Sequence, residues 1–418
     1  MSSRTLPLER DGRGERTGSD IEIITLVSGA HFLSHFLQLT LPPLFPLLRA
    51  VFNVPYVALG VLMTLFYSAS AVGQLVSGFL VDRFGARRIL VGGLSLFASA
   101  IVLAGLSPSY GMLVAVILLA GLGNSVFHPA DYSIMNATVD SRRLGRAYST
   151  HSISGNIGWA LAPAVVGGLT AAFGWRVALA SAGALGLAVA FFLARQPALA
   201  VVGRPARMRV ADGPVGFVAD FRLLLVTPVL MAFAYFALLA ASLSAVQTFS
   251  VSVLVAVYAA PLGLASGALT AYLGGSAAGI LTGGVLADRT SRHHVVAGGG
   301  MLLAAVLTLV LASGAPPLAL LAPLMAAIGF AKGATAPSRD LIVRAATPAA
   351  ASGKVFGFVY SGLDLGALAM PPVYGWLVDR GDPRAVFLVA AGLMVLTIAT
   401  VLEVRRQGVI ARGRGTRW

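Results

Sequence analysis

The chain has 418 residues and a net charge of +14, and it is 57% hydrophobic with only 11% charged residues. A soluble domain carries about 25% charged residues, so this composition excludes an ordinary soluble enzyme and points to an all-α membrane protein. The apolar runs are continuous rather than alternating, which argues against a membrane β-barrel, and the absence of cysteine excludes disulfide and thiol chemistry.

Residues 1–20 read as a disordered tail carrying Arg4, Arg10, Arg13 and Arg16. The tail lacks the apolar core of a signal peptide. Apolar runs then predict membrane helices at 21–48, 55–81, 88–107, 111–138, 147–172 and 175–195. A polar linker at 196–223 contains Arg204, Arg207, Arg209 and Arg222. Six more helices are predicted at 224–253, 257–287, 295–313, 316–346, 352–378 and 384–404, followed by a basic tail at 405–418. The fold class is therefore twelve transmembrane helices in two bundles, 21–195 and 224–404. Arginines crowd every second loop, among them Arg87, Arg142, Arg143, Arg146, Arg289 and Arg292. That bias predicts a multi-pass protein of the cytoplasmic (inner) membrane with both termini and the linker in the cytoplasm. The basic charge sits in loop flanks, so no nucleic-acid partner is expected.

The two bundles repeat each other. Gly78-Phe-Leu-Val-Asp82-Arg83-Phe-Gly85-Ala-Arg87-Arg88 returns as Gly284-Val-Leu-Ala-Asp288-Arg289-Thr-Ser-Arg292. Further on, one constant register pairs Pro129 with Pro337, Asn156 with Asp364, Pro163 with Pro371, Gly167 with Gly375 and Arg176 with Arg384. Internal duplication of this kind marks a secondary transporter built from structural repeats. A carboxylate beside arginine at a helix end can bridge neighbouring helices.

Polar residues at mid-span are candidates for substrate or proton binding. His31, His35 and Gln38 share one face of the first helix. Asn124, His128 and Asp131 form a stripe on the fourth, where a histidine three residues from an aspartate can share a proton. The bland reading of both stripes is a tether between helices. Lys332 lies mid-span in the tenth helix with Arg339 on the same face, and it needs either an anionic substrate or Asp364 as partner. Asp340 and Arg344 read as a structural ion pair. Tyr235 and Gln247 are the polar offerings of the seventh helix. Proton coupling is assigned to His128, Asp131 and Asp364, and substrate binding to His31, His35, Gln38, Asn124, Lys332, Arg339, Tyr235 and Gln247. No metal site or cofactor is expected, and no nucleotide-binding loop is seen.

The phrase at 78–88 resembles the loop 2–3 signature of the major facilitator superfamily. That resemblance implies that the hinge and its repeat, Gly78, Asp82, Arg83, Gly85, Arg87, Gly284, Asp288 and Arg289, form a conformational latch. Gly158-Trp-Ala-Leu-Ala-Pro163-Ala-Val-Val-Gly167-Gly168 is similar to the helix 5 signature of its proton-coupled drug exporters, with Ala162 where glycine usually precedes the proline. His31-Phe-Leu-Ser-His35-Phe, Leu41-Pro42-Pro43-Leu-Phe-Pro46 and Phe127-His128-Pro129 resemble fosmidomycin-resistance-type exporters. The arginine of drug exporters early in helix 4 is absent, since Val114–Leu122 holds no charge. The resemblance implies a cavity lined by helices 1, 4, 7 and 10, alternating access, and a monomer in the lipid bilayer whose partners are protons and a small-molecule substrate. It leads to a proton-coupled exporter of a small polar or anionic compound. The alternatives are proton-coupled uptake of an organic anion and a non-transporting membrane sensor or assembly protein. An enzyme is not expected, for want of a nucleophile or metal set.

Overall fold

A computed structural model of the chain describes residues 12–201, 226–345 and 352–413. Eleven helices in it are long and apolar enough to cross a membrane: α1 Ser19–Phe52, α2 Tyr56–Phe84, α3 Ala86–Leu106, α4 Tyr110–Thr138, α5 Leu144–Phe173, α6 Trp175–Ala194, α7 Val229–Tyr258, α8 Leu262–Arg289, α9 His293–Ala312, α10 Leu318–Ile342 and α12 Arg384–Glu403. The remaining membrane helix, α11, is Ser352–Asp379. No strand occurs among the described residues. The fold is an all-α membrane protein of twelve helices in two pseudo-symmetric halves.

Several boundaries differ from the sequence expectation. Helical backbone starts at Gly12, inside the segment expected to be disordered, and the last helix runs on to Gly413, inside the expected tail. Most of the expected linker lies outside the described residues. Four spans are interrupted. α1 breaks after Gln38 at a turn that leads into Pro42–Leu44. α7 loosens into a π-helical stretch, Ala245–Phe249.

The interruptions of α4 and α10 correspond to each other. In α4 a turn at Ser125–Val126 separates Tyr110–Asn124 from Phe127–Thr138. In α10 a turn at Thr335 separates Leu318–Ala334 from Ala336–Ala345. Pro129 and Pro337 follow the breaks and lack the N–H that would continue the ladder. The freed geometry is taken up locally: Ser125 Oγ donates to the Leu122 carbonyl and Thr335 Oγ1 to the Lys332 carbonyl, each at 2.7 Å.

Small residues let the helices approach closely. Along α8 and α10, a Cβ at Gly275, Gly279 or Gly283 would come within 2.2, 2.2 and 2.3 Å of carbonyl oxygens of α10. Such contact is the usual way membrane helices gain packing without a hydrophobic drive between them.

The hinge between α2 and α3 is a single residue, Gly85, at φ +89°. An L side chain is strained there, so glycine is required. Arg87, just past it, donates to the carbonyl of Ala194 at the end of α6. The matching link of the second half, residues 290–292, is longer. Thr290 there is extended at φ −131°, so the sequence needs no glycine at Ser291.

The two halves touch at one end only among the described residues, the end bearing the loops after α1, α5, α7 and α11. Thr64 Oγ1 of α2 donates to the Leu368 carbonyl of α11 at 2.7 Å. The N–H of Ala164 in α5 donates to Thr270 Oγ1 of α8 at 3.1 Å. A Cβ at Gly60 would come within 2.4 Å of the Pro371 carbonyl oxygen, and one at Gly375 within 2.4 Å of that of Tyr56. At the opposite end, where the first and last helices begin and end, the hinge residues Asp82 and Asp288 are exposed.

Candidate functional site

The site is built from α1, α4 and α5 around one carboxylate. Asp131 sits in the first turns of the second segment of α4 and is fully buried. Its Oδ2 lies 2.9 Å from Nε2 of His151 in α5, in a hydrogen bond. Nδ1 of His31 in α1 is 3.4 Å from the same oxygen, ion-pair distance without hydrogen-bond geometry. The other oxygen, Oδ1, has no hydrogen-bond partner. A buried carboxylate left so incompletely satisfied is costly unless protons or ligands complete it.

The imidazoles pack on each other. His31 stacks on His151 with ring centroids 3.6 Å apart and planes 21° apart. His35 sits 4.3 Å from His31, and His128 sits 5.2 Å from it. Tyr132 packs 5.4 Å from His151, and its neighbour Tyr148 bonds Asn136. His128 is exposed although it lies in the middle of a membrane helix, next to three other histidines.

His31, Asp131 and His151 offer ligand atoms within 4.8 Å of one another, a spacing open to a metal ion. The near-parallel rings of His31 and His151 argue against it. Stacked imidazoles send their in-plane lone pairs side by side, whereas a tetrahedral ion needs them to converge.

The ladder continues along α1 and α5. The ring of His35 packs on Trp159 at 4.1 Å, and Trp159 Nε1–H donates to Gln38 Oε1 at 2.9 Å. Between these rungs α5 presents glycines. A Cβ at Gly155 would come within 2.8 Å of His31 Nε2 and 3.0 Å of His35 Cε1, and one at Gly158 within 2.2 Å of the Phe32 carbonyl oxygen.

The structure thus brings together His31, His35 and Gln38 as the spacing on α1 predicts, and joins them to His128 and Asp131. Asn124 does not join them. The break in α4 turns it to α2, where Nδ2 donates to Ser70 Oγ at 2.9 Å. His151 is the residue the sequence reading missed. The signal was there, since His151, Gly155, Gly158 and Ala162 recur at helical spacing and form a single face of α5.

In the second half, Lys332 lies three residues before the break in α10 and Arg339 follows it. Among the described residues Lys332 makes no ion pair with Asp364, whose side chain is exposed. Arg339 Nε lies 2.8 Å from Asp340 Oδ1, and its guanidinium stands 4.8 Å over the Phe236 ring. Arg339 is thus a partner of Asp340; the side chain of Arg344, the partner expected from spacing, lies outside the described residues. Tyr235 and Gln247 are both buried in α7. At the hinges Asp82, Arg83, Asp288 and Arg289 are exposed, and Asp82 makes no ion pair among the described residues.

Electrostatics outside the membrane helices are simple. In the loop between α4 and α5, Arg142 bonds Asp140 at 2.9 Å and holds its carboxyl well below the usual carboxylate range. Arg143 pairs with Asp20 at the start of α1, 3.1 Å away, which ties that loop to the helix carrying His31.

Comparison with known proteins agrees with this architecture. Residues 27–273 and 237–416 match the sequence profile of the Major Facilitator Superfamily. The chain is 29% identical to the fosmidomycin resistance protein of Escherichia coli (strain K12), over 36% of this chain and 37% of that protein. It is 34% identical to a probable 4-methylmuconolactone transporter of Cupriavidus pinatubonensis, over 32% of each chain. These alignments span about a third of the relatives' length. A bacterial homologue of the human lysosomal transporter Spinster, solved in an inward-facing and occupied conformation, superposes with a TM-score of 0.78 at 14% identity, covering 92% of this chain and 96% of that one.

Proposed function

The chain belongs to the Major Facilitator Superfamily, and from that premise we propose that it is a proton-coupled exporter of a small polar or anionic compound, working by alternating access in the cytoplasmic membrane. One observation carries the reading. The corresponding breaks of α4 and α10 hold complementary groups: a buried carboxylate among histidines in one half, and Lys332 and Arg339 in the other. Broken membrane helices at matching positions of two repeats mark a binding site near the bilayer midplane.

In this reading Lys332, with no carboxylate partner among the described residues, supplies the charge that an anion meets. Arg339, Gln38, Tyr235 and Gln247 shape the rest of the cavity. His128, exposed at mid-membrane, and Asp131 bind the proton that is exchanged for the cargo, with Asp364 as an accessory group. With the termini in the cytoplasm, as the arginine bias supports, the end opposite the close contacts between the halves faces inward and is the open one. Asp82 and Asp288 are then the latches of the opposite state, which fits their lack of ion pairs here. The halves would span 21–195 and 224–404, and the molecule would act as a monomer.

The test is flux in proteoliposomes under an imposed pH gradient with a panel of small carboxylates, sulfonates and phosphonates. Outward accumulation of at least one anion, abolished by a protonophore, is expected. Flux that is indifferent to the gradient for every compound overturns the proton coupling. The second reading, proton-driven uptake of an organic anion, draws on the relative named as a probable 4-methylmuconolactone transporter, and the sign of the same flux decides it.

A further inference from the structure

Helix α5 carries two contacts at its two ends. Near its start, His151 Nε2 bonds Oδ2 of Asp131. With Asp131 ionised the imidazole N–H is the donor, in a charge-assisted bond. Beyond its middle, Pro163 interrupts the helix ladder. The next residue, Ala164, gives its N–H to Thr270 Oγ1 of α8 at 3.1 Å, and a Cβ at Gly167 would come within 2.9 Å of Ser266. Those contacts belong to the closed end of the molecule. Between the two sites α5 is backed by α1 with no room for a methyl group at Gly155 or Gly158. Between His151 and Pro163 α5 is thus held closely against α1, and Pro163 itself sits beside the Ala164 contact.

We propose that His151 is the positioning residue through which the charge of Asp131 is transmitted to α5, and through α5 to the Ala164–Thr270 closure between the halves. The inference rests on the reading of Asp131 as the proton site. A proton arriving from the cavity lands on Oδ1, the oxygen without a partner. The carboxylate becomes a neutral acid, and Oδ2 becomes a carbonyl-type oxygen. His151 then keeps only a neutral hydrogen bond, so α5 is held less firmly on α4 and the closed end is freed to open. The titratable side chains clustered around this carboxylate are His31 and His35 from α1, His128 and Tyr132 from α4, and His151 and Tyr148 from α5. Asp131 is the sole carboxylate in that set, so its carboxylic-acid band distinguishes its protonation from that of the four imidazoles.

The experiment uses the full chain in nanodiscs. Because the protein has no cysteine, Phe173→Cys and Gly263→Cys place two spin labels at the ends of α5 and α8. Their distance is followed from about pH 8 to about pH 5. The carboxylic-acid infrared band of Asp131, identified by its loss in Asp131→Asn, is followed in parallel. In the unaltered background the long-distance population should rise as the acid band appears. In His151→Gln the band should still appear while the distance stops responding to pH. Distances that follow pH in His151→Gln as before overturn the inference. A background protein that never shows the band overturns instead the assignment of the proton to Asp131.

Thr270→Val gives an independent arm that leaves the proton site untouched. It removes the acceptor of the Ala164 N–H and should open the closed end at every pH. Coupling is reciprocal. The midpoint of the Asp131 band should therefore move to higher pH, by about one unit for a tenfold gain in the open-to-closed ratio. An opened distance with an unmoved midpoint overturns the coupling.

Discussion

The carboxylate of Asp379, at the end of α11, caps the start of α2 in the other half: the N–H of Tyr56 donates to one oxygen and that of Val57 to the other, each at 2.8 Å. α2 begins at Pro55 without a side-chain cap of its own. Its orphan N–H groups are thus satisfied across the interface between the halves, where a negative charge also meets the positive end of the helix.

Removing that cap should favour the opposite state. Asp379→Ala is expected to weaken the closure by about 1 kcal/mol, as loss of an exposed cap does, which changes the ratio of states by about fivefold. A cysteine at Leu368, on the inter-half contact with Thr64, should then react faster with an impermeant maleimide added outside. An unchanged rate would show that this capping does not hold the closed end.

Glycine positions on α5 should fall in a definite order. Gly158→Ala drives a methyl toward a backbone carbonyl 2.2 Å away, whereas Gly155→Ala meets imidazole rings at 2.8 and 3.0 Å. Both overpack, at a cost of about 1–3 kcal/mol. Thermal melting in detergent should drop more for Gly158→Ala, while Gly155→Ala should keep its fold and lose transport. The reverse order would mean that α1 yields more easily than the ring cluster.

Lys332→Ala should weaken anion binding at least tenfold, and Lys332→Arg should restore it only in part, because guanidinium and ammonium differ in shape and hydration. Since no ion pair joins Lys332 to Asp364 here, Asp364→Ala should not rescue Lys332→Ala. Binding to the purified variants decides this. Full affinity in Lys332→Ala leaves it a structural charge.

Asp82 is exposed and makes no ion pair among the described residues. Asp82→Asn should therefore leave substrate affinity and melting temperature unchanged and slow turnover about tenfold or more. Loss of binding in a folded variant would overturn its role as a latch.

The pH dependence of transport should not come from the loop after α4. Asp140 has its carboxyl lowered by Arg142, so any stability it lends is present above the ordinary aspartate value and is lost only as pH falls below that. Its charge is constant across neutral pH. Asp140→Asn should leave the pH profile of flux unchanged, and a displaced profile would contradict this.

Much of this architecture was readable from hydropathy and repetition, because the bilayer imposes length and the duplication imposes register. The helix 1 stripe of His31, His35 and Gln38 was readable because helical spacing alone sets it. Asn124 was misplaced because the stripe on α4 assumed an unbroken helix, and the turn before Pro129 rotates the first segment away from the second. His151 was missed because small residues at helical spacing look like packing in sequence, and only the neighbouring helix shows that they make room for imidazoles. The partner of Lys332 was open for the same reason: spacing places a residue on its own helix and is silent about what another helix presents to it.

The unequal links of the two halves carry a mechanical consequence. With a link of one residue at Gly85, and Arg87 fastened to the end of α6, α2 and α3 should turn together as a single block. The three-residue link after α8 is longer and should couple α8 to α9 less tightly. A short peptide inserted after Ser291 should be absorbed by that looser link, whereas the same insertion after Gly85 would uncouple the block and stall the cycle.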